Sequence, residues 1–134
     1  AIQGRPNKKI LLVEDNEVNR ILATKFLVKW GIQVESAENG LVCLDKIKSK
    51  DFDLILMDLQ MPEMDGYEAT KILRQSQDSY YKNIPIIALT AAALIEAQQK
   101  VKEVGMNDFV TKPFHPKEFR DKLEKHLKPS VEGK

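Results

Sequence analysis

The sequence contains few of the features that mark specialised protein classes. Cys43 is its only cysteine, so an internal disulfide cannot form, and the helical apolar pattern around it predicts a buried, unreactive thiol. No apolar stretch approaches the roughly 18 residues of a membrane span, and no stretch has the pattern of a secretory signal. We therefore expect a reducing, cytoplasmic environment and no membrane contact by this chain.

Neither sign of charge dominates. The chain carries 21 Lys and Arg against 20 Asp and Glu, a formal net charge of +1. The basic side chains are scattered, and the only basic run, Lys8-Lys9, is too short for a nucleic-acid binding surface. Direct binding of DNA or RNA is therefore not expected. With 134 residues, 43% apolar and 31% charged, the chain has the length and composition of one globular domain.

Both ends of the sequence are polar and unpatterned. Residues 1–7 are predicted to be a linker or a cloning remnant, residues 8–128 the folded domain, and residues 129–134 a C-terminal tail. The first residue is Ala1 rather than methionine. We therefore expect the domain to come from a longer chain.

Five strand-like segments alternate along the chain with segments of helical period. The first, third and fourth are apolar almost throughout, as expected for strands with both faces buried. The predicted strands are 9–13, 32–37, 53–57, 84–90 and 108–111. The predicted helices follow Asn16, begin at Gly40, run over 67–73 and 94–104, and begin at Pro116, while 74–83 is a predicted loop.

The first predicted helix shows how these elements are bounded. Asn16 is a suitable N-cap and Gly31 a suitable C-terminal glycine. Val18, Ile21, Leu22 and Phe26 form an apolar stripe along one face between them. The spacing therefore predicts an amphipathic helix between these two caps.

Strand–helix repeats of this kind are joined by right-handed crossovers, which place the strands in one open sheet. The predicted fold class is α/β, a doubly wound five-stranded parallel sheet with helices on both faces. Such sheets bind ligands outside the carboxyl ends of their strands, near the switch point in strand order. The residues at those ends are therefore the candidate functional residues.

Four strands end in side chains that can bind a metal ion or a phosphoryl group. Glu14 and Asp15 end the first strand, Asp58 the third and Thr90 the fourth, while Lys112 follows the fifth. Each alone is as readily interpreted as a helix cap or a solvated residue. Their convergence on one edge, from segments far apart in sequence, favours a functional site.

Three carboxylates at one edge repel one another, and each raises the pKa of the others unless a cation lies among them. Mg²⁺ takes oxygen ligands and is commonly shared between carboxylates and phosphate oxygens. Lys112 can pair with a carboxylate at rest and with a phosphoryl oxygen later. A carboxylate beside Mg²⁺ and a lysine can attack phosphorus to form an aspartyl phosphate, which Thr90 can hydrogen-bond.

The motifs "LLVEDN", "LILMDLQMPEMDG", "IIALTA" and "FVTKPF", in this order, resemble the receiver domain of two-component response regulators over nearly all of residues 8–128. The phrase "MDLQMPEMDG" is especially similar to receiver domains of hybrid sensor histidine kinases. The resemblance implies the strand order 2-1-3-4-5 of flavodoxin-like and receiver folds. It also implies that the chain is a phosphoacceptor domain and not a stand-alone enzyme. The only reactions that such a domain catalyses are its own phosphorylation and autodephosphorylation.

The resemblance assigns a role to each site residue. Asp58 is the phosphorylated residue, and Mg²⁺, with Mn²⁺ as an alternative, is held by Asp15, Asp58 and the Gln60 backbone carbonyl, with Glu14 acting through water. Thr90 and Lys112 bind the phosphoryl group. The implied switch residues are Thr90 and Phe109, and the implied determinants of phosphoryl lifetime are Gln60 and Ala92.

The implied partner is a histidine kinase or a histidine phosphotransfer protein that donates the phosphoryl group. The domain is expected to belong to a hybrid kinase, whose cytoplasmic part it would form, with a free-standing response regulator as the alternative. The last two predicted helices are a candidate surface for a weak or phosphorylation-dependent dimer.

Three other classes of protein are disfavoured. A phosphohydrolase of the haloacid dehalogenase type needs a second aspartate two residues after the nucleophile, where this chain has Gln60. A flavodoxin-like nucleotide or flavin site needs a phosphate-binding loop after the first strand, but "VEDNEVN" is acidic. A non-catalytic interaction module would be expected to have lost one of the site residues. His115 and His126 lack metal-ligand partners, and we interpret His126 as a solvated helix residue.

Overall fold

The computed structural model describes residues 8–91 and 95–127 and contains one parallel sheet of five strands. The strands are β1 (Lys9–Val13), β2 (Gln33–Ala37), β3 (Leu54–Asp58), β4 (Ile86–Thr90) and β5 (Asp108–Thr111). Their order is β2-β1-β3-β4-β5, so the predicted fold class and strand order are both confirmed. The predicted linker at 1–7 and tail at 129–134 lie outside the described residues.

Helices connect the strands and cover both faces of the sheet. They are α1 (Glu17–Lys29), α2 (Gly40–Lys46), α3 (Gly66–Arg74), α4 (Ser79–Asn83), α5 (Ile95–Glu103) and α6 (Pro116–His126), with a 3-10 turn at Ile47–Ser49. In the described part of the chain, no helix is long and apolar enough to span a membrane. Asn16 and Asp65 cap α1 and α3 by accepting hydrogen bonds from backbone N–H groups of the first turn.

Two apolar clusters form the core, one on each face of the sheet. Alternate residues of β1, β3 and β4 point to opposite faces and are fully buried on both, which is why these strands read as continuous apolar runs. One cluster joins the sheet to α1 and α6, and the other joins it to α2, α3 and α5. Cys43 lies in the second cluster, where burial raises the pKa of its thiol to about 12, so the predicted buried thiol is confirmed.

Three of the four residues in the apolar stripe that identified α1 face solvent, while the fourth, Phe26, packs against the core. Val18, Ile21 and Leu22 are 73%, 50% and 37% exposed. The helix instead buries Ala23 and Leu27, one turn apart on the opposite side. Apolar residues occur on both sides of α1, so periodicity located the helix but did not identify its inner face. An apolar patch is left exposed on α1.

Residues 74–83, predicted to be a loop, contain the short helix α4. The side chain of Asp78 accepts a hydrogen bond from the backbone N–H of Tyr80 and begins the helix. The Tyr80 hydroxyl then donates to the carbonyl of Phe52 and accepts from its N–H. These contacts between segments distant in sequence stabilise a helix that has no apolar period of its own.

Arg74, at the end of α3, donates hydrogen bonds to four acceptors, in and directly after α4 and in the turn before β5. Its guanidinium donates hydrogen bonds to the carbonyls of Gly105, Tyr81 and Ile84 over 2.7–2.9 Å and to the side-chain oxygen of Asn107 over 3.0 Å. Asn107 in turn accepts a hydrogen bond from the N–H of Ile86 at the start of β4. Arg74 therefore fixes α4 and the turn before β5 against the sheet.

Arg74→Met is expected to lower the free energy of unfolding by about 3 kcal/mol, because partly buried carbonyls lose their donors. Urea unfolding followed by circular dichroism measures this. Lys71→Met, an exposed position on the same helix, is the matched control and should change stability by less than about 0.5 kcal/mol. Equal losses in the two variants would contradict the role of Arg74.

His126 is not the solvated residue that its sequence context suggested. Its Nε2 lies 2.9 Å from Oδ2 of Asp108, and the His126 side chain is 15% exposed. Lys122 lies 2.5 Å from the other oxygen of Asp108. The backbone N–H of Phe109 donates to the same carboxylate. Asp108, the first residue of β5, therefore links this strand to α6.

The stability that Asp108 contributes should depend on pH. Burial alone would raise the pKa of Asp108, but the hydrogen bonds from Lys122, His126 and the Phe109 N–H outweigh it and hold the pKa below its usual value. An acid with a lowered folded-state pKa contributes stability above its unfolded pKa and loses it as the pH falls through the folded value. Asp108→Asn should therefore cost about 2 kcal/mol near neutral pH.

Urea unfolding of both proteins at about pH 7 and about pH 3 checks this, because the difference between them should shrink toward the acid end. A difference that is independent of pH would show that the Asp108 carboxylate does not stabilise the fold through its charge.

Candidate functional site

The carboxyl ends of β1, β3, β4 and β5 open into one pocket of about 440 Å³. Glu14 and Asp15 follow β1, Asp58 ends β3, Thr90 ends β4, and Lys112 follows β5. All five residues line the pocket, together with Gln60 from the loop after β3. The sheet thus brings together the predicted site residues that follow its strands.

Glu14, Asp15 and Asp58 form the acidic part of the pocket. One carboxylate oxygen from each lies within 4.8 Å of the others. Glu14 is fully buried and Asp58 is 6% exposed, whereas Asp15 faces solvent. Three carboxylate oxygens this close, one of them open to solvent, fit a hard divalent cation such as Mg²⁺ that retains some of its water ligands.

Lys112 lies on the inner side of the acidic cluster. Its Nζ is 2.9 Å from Oε1 of Glu14 and 3.3 Å from Oδ1 of Asp58, and the side chain is 14% exposed. Its backbone N–H donates to the carbonyl of Thr90 over 2.8 Å. A single ammonium group thus faces two buried carboxylates, so part of their negative charge is left uncompensated.

The electrostatic result of this arrangement is a weakly acidic Asp58. Burial, with the Glu14 carboxylate acting in the same direction, raises the pKa of Asp58 to about 7. Lys112 and the backbone N–H of Gln60, which donates to Asp58 Oδ1 over 3.3 Å, act against this increase. A divalent cation among the carboxylates would favour the ionised form of Asp58, which is the nucleophilic form.

The loop after β3 folds tightly against Asp58. A β-carbon added to Gly66 would lie 2.2 Å from the backbone carbonyl oxygen of Asp58, so no larger residue fits without a shift of the backbone. The N–H of Gly66 donates to the carbonyl of Leu59 over 3.3 Å. The close approach explains the glycine in "MPEMDG" and fixes the start of α3 beside the pocket.

The residues with predicted switch and lifetime roles differ in whether they line the pocket. Thr90 is 8% exposed and lines the pocket. Phe109 does not line it; its ring packs against the cluster beneath α2, α3 and α5, and Nζ of Lys122 lies 5.0 Å from the ring centroid. Gln60 borders the pocket, while Ala92 lies outside the described residues. The functional roles assigned to these residues stay predictions.

Three pocket-side residues were missed by sequence reasoning. Tyr67 lines the pocket, and Nζ of Lys100 on α5 lies 4.3 Å from its ring centroid. Asn19 also lines the pocket, and Arg20 donates to the carbonyls of Glu14 and Asp15. The available signal was position: Tyr67 follows Gly66, while Asn19 and Arg20 lie one turn into the helix that follows the acidic pair.

Comparison with known families gives one match over most of the chain. The profile described as "Response regulator receiver domain" matches residues 10–124.

Among characterised proteins, the chain is similar to hybrid signal transduction histidine kinase B of Dictyostelium discoideum, with 41% identity over 130 residues. That alignment covers 90% of this chain but only 7% of the relative. It is also similar to the sensor histidine kinase GacS of Pseudomonas protegens, with 36% identity over 112 residues, which cover 83% of this chain and 12% of the relative. The chain therefore corresponds to a small part of much longer proteins.

Two solved structures are informative neighbours. One is the receiver domain of a sensor histidine kinase from Pseudomonas aeruginosa, determined with a magnesium ion coordinated in its active site cleft. It has a TM-score of 0.82 and 36% identity and covers 90% of this chain and 98% of the neighbour. The other is the complex of the Saccharomyces cerevisiae histidine phosphotransfer protein Ypd1 with the receiver domain of Ssk1. It has a TM-score of 0.83 and 31% identity and covers 92% of this chain and 90% of the neighbour.

Proposed function

Because this chain belongs to the family of response regulator receiver domains, it is a phosphoacceptor domain of two-component signalling, and we propose that Asp58 accepts the phosphoryl group. The observation that carries the assignment is the position of Asp58. Asp58 ends β3 and contacts Lys112, as Glu14 also does, and its Oδ1 in addition accepts a hydrogen bond from the N–H of Gln60 in the loop after β3.

In the proposed reaction, an oxygen of Asp58 attacks the phosphorus of a phosphohistidine in line with the leaving nitrogen. The P–N bond breaks as the O–P bond forms, and the released imidazole takes up a proton from water. As negative charge moves to the transferred group, the Lys112 ammonium exchanges its contact with Asp58 Oδ1 for a contact with an oxygen of that group. Its contact with Glu14 is retained. The side chains thus contribute positioning and electrostatic stabilisation.

Asp15, Asp58 and the backbone carbonyl of Gln60 are the proposed ligands of Mg²⁺, with Glu14 acting through water. When bound, Mg²⁺ supplies positive charge that offsets the negative charge of the transferring oxygens. In its absence, the raised pKa of Asp58 and the repulsion among the carboxylates both oppose attack. Support also comes from the magnesium ion described in the similar Pseudomonas aeruginosa domain.

Phosphorylation is proposed to act on α5, β5 and α6 through Thr90 and Phe109. A phosphoryl group on Asp58 adds nearly two negative charges and hydrogen-bond acceptors at the end of β3. Thr90, at the end of the neighbouring strand β4, is then drawn toward the phosphoryl group, and Phe109 turns inward. The two-state shift must amount to roughly 3 to 5 kcal/mol to act as a near-complete switch. Gln60 and Ala92 are proposed to set how long the phosphoryl group lasts.

The proposed phosphodonor is a histidine phosphotransfer protein or kinase that docks on α1. Val18, Ile21 and Leu22 form an exposed apolar patch on this helix. The same first turns carry Asn16 and Asn19, which line the pocket, so a protein covering the patch has access to Asp58. Support for this class of partner comes from the Ypd1–Ssk1 complex among the similar structures. We propose that the domain belongs to a cytoplasmic segment of a hybrid histidine kinase, as the similar kinases suggest.

Val18→Asp is expected to slow phosphotransfer from a purified phosphohistidine transfer protein by about 10- to 100-fold, because a charge is placed in an apolar contact. Phosphorylation by acetyl phosphate should stay within about twofold of wild type, since this small donor needs no docking surface. Ile72→Asp, the same kind of change at an exposed apolar position on α3, is the control. Equal slowing with both donors would contradict docking on α1.

The proposed function itself is tested by incubating the chain with acetyl phosphate and measuring intact mass. One added phosphoryl group is expected with Mg²⁺ present and almost none after chelation. Phosphorylation that is indifferent to chelation would contradict the proposed metal dependence, and the absence of any phosphorylation would contradict the phosphoacceptor assignment.

A further inference from the structure

The acidic loop after β1 is held by a side chain that follows it in α1. Nη1 of Arg20 donates hydrogen bonds to the carbonyl oxygens of Glu14 over 3.0 Å and of Asp15 over 3.3 Å. Arg20 thus contacts both residues that contribute the acidic pair, but through their backbone. We propose that Arg20 is a positioning residue for metal binding, a role that rests on the function proposed above.

The two acids differ in how their side chains are held. The Glu14 carboxylate accepts hydrogen bonds from Lys112 Nζ over 2.9 Å and from the backbone N–H of Asn16 over 3.1 Å. Among residues 8–91 and 95–127, no comparable donor contacts the Asp15 carboxylate, which faces solvent. The position of Asp15 is therefore set through its backbone, where Arg20 is bound.

The way in which Arg20 binds also leaves the carboxylate oxygens accessible. Within the described part of the chain, its guanidinium forms no ion pair with Glu14 or Asp15 and is bound to their carbonyls instead. A cation paired directly with the carboxylates would compete with a metal ion for the same oxygens. Arg20 orders the loop without occupying the ligand atoms.

This placement gives two opposing expectations for the loss of Arg20. If its positive charge dominated, removing it would strengthen Mg²⁺ binding, because a nearby like charge would be gone. If positioning dominates, removing it weakens binding, since Asp15 must then be ordered when the metal binds. Groups that orient metal ligands are typically worth 10- to 100-fold in affinity. The role proposed for Arg20 predicts the second result, at the lower end of that range.

Isothermal titration calorimetry with Mg²⁺ alone tests the proposal. Arg20→Met is expected to raise the Mg²⁺ dissociation constant about tenfold and Arg20→Lys about threefold, because lysine keeps the charge but not the planar pair of donors. Lys25→Met removes a positive charge from an exposed position on the same helix and should leave the constant within about twofold. Affinity in Arg20→Met that is unchanged or tighter would overturn the role of Arg20.

The rate of phosphorylation by acetyl phosphate provides a second readout. Arg20 is placed against the backbone of the loop and not against reacting atoms, so saturating Mg²⁺ should restore the rate of Arg20→Met to within about twofold of wild type. A rate that stays at least tenfold low at saturation would overturn a role in metal positioning. If wild type itself bound no Mg²⁺, the proposed function would fail; if wild type bound it and the Arg20 variants did so equally, only the present inference would fail.

Discussion

Asp58→Asn is expected to abolish phosphorylation by both acetyl phosphate and a phosphohistidine protein. The amide is a far weaker nucleophile than a carboxylate, and neither Glu14 nor Asp15 occupies its place beside both Lys112 and the loop after β3. Intact mass after incubation with donor and Mg²⁺ should show no added phosphoryl group. Incorporation at the wild-type rate would contradict the assignment of Asp58.

The same variant should be folded, and more stable than wild type. Because burial and Glu14 raise the folded-state pKa of Asp58 to about 7, this carboxyl group costs stability that grows as the pH rises from the unfolded-state pKa to about 7 and is complete above it, and the neutral amide removes the cost. We expect a gain of about 2 kcal/mol in slightly alkaline buffer without Mg²⁺. Asp65→Asn is the matched control within the same motif: it retains a competent N-cap for α3 and should be phosphorylated normally.

Lys112→Met is expected to lower the phosphorylation rate by about 10²- to 10³-fold, because a preorganised positive charge is removed from the transferring oxygens. Saturating Mg²⁺ should not restore the rate, because the positive charge that is lost lay beside the attacking carboxylate, with Nζ of Lys112 3.3 Å from Oδ1 of Asp58. Stopped-time assays with acetyl phosphate over a range of Mg²⁺ concentrations measure the effect.

Lys117→Met on α6 provides the control, because the Lys117 side chain is 89% exposed and, among the described residues, pairs with Asp121 alone, one turn along the helix. Its rate should match wild type. Lys112→Met also leaves the buried Glu14 carboxylate without its ammonium partner, so unfolding is followed in parallel to separate loss of structure from loss of rate. A rate within a few-fold of wild type in folded Lys112→Met would contradict the proposed role.

The sheet and the composition of the site were predictable from the sequence for a physical reason. Strands buried on both faces appear as continuous apolar runs. β1 and β5 occupy the predicted ranges, and the other strands differ from theirs by one or two residues at one or both ends. Parallel crossovers then force the residues after those strands onto one edge. This rule alone places Asp58 and Lys112 at the same edge of the sheet.

The features that were missed depend on contacts that periodicity does not encode. α4 is stabilised by Asp78 and by the bonds between Tyr80 and Phe52, and Arg74 selects carbonyls from segments that are distant in sequence. His126 pairs with an aspartate 18 residues away. These are pairings of single polar groups, each determined by the folded geometry, so the sequence pattern carries no trace of them.

α1 illustrates the same limit for apolar residues. Because both of its sides carry apolar residues, the helical period was correct while the buried face was determined by Ala23 and Leu27. The outward patch at Val18 and Ile21 is the consequence, and it provides the surface on which we propose that the phosphodonor docks.

If Asp58 is the phosphoacceptor, it carries the phosphoryl group as an acyl phosphate. Reduction of the phosphorylated chain with borohydride converts a phosphoaspartate to homoserine, and peptide mass spectrometry locates the modified residue. We predict homoserine at position 58 in a peptide from the phosphorylated, Mg²⁺-containing sample and aspartate there in the chelated control. Homoserine at Asp15 or another aspartate, the corresponding longer alcohol at Glu14, or a phosphoryl group that resists reduction because it is carried by a hydroxyl or an imidazole, would contradict the assignment of Asp58.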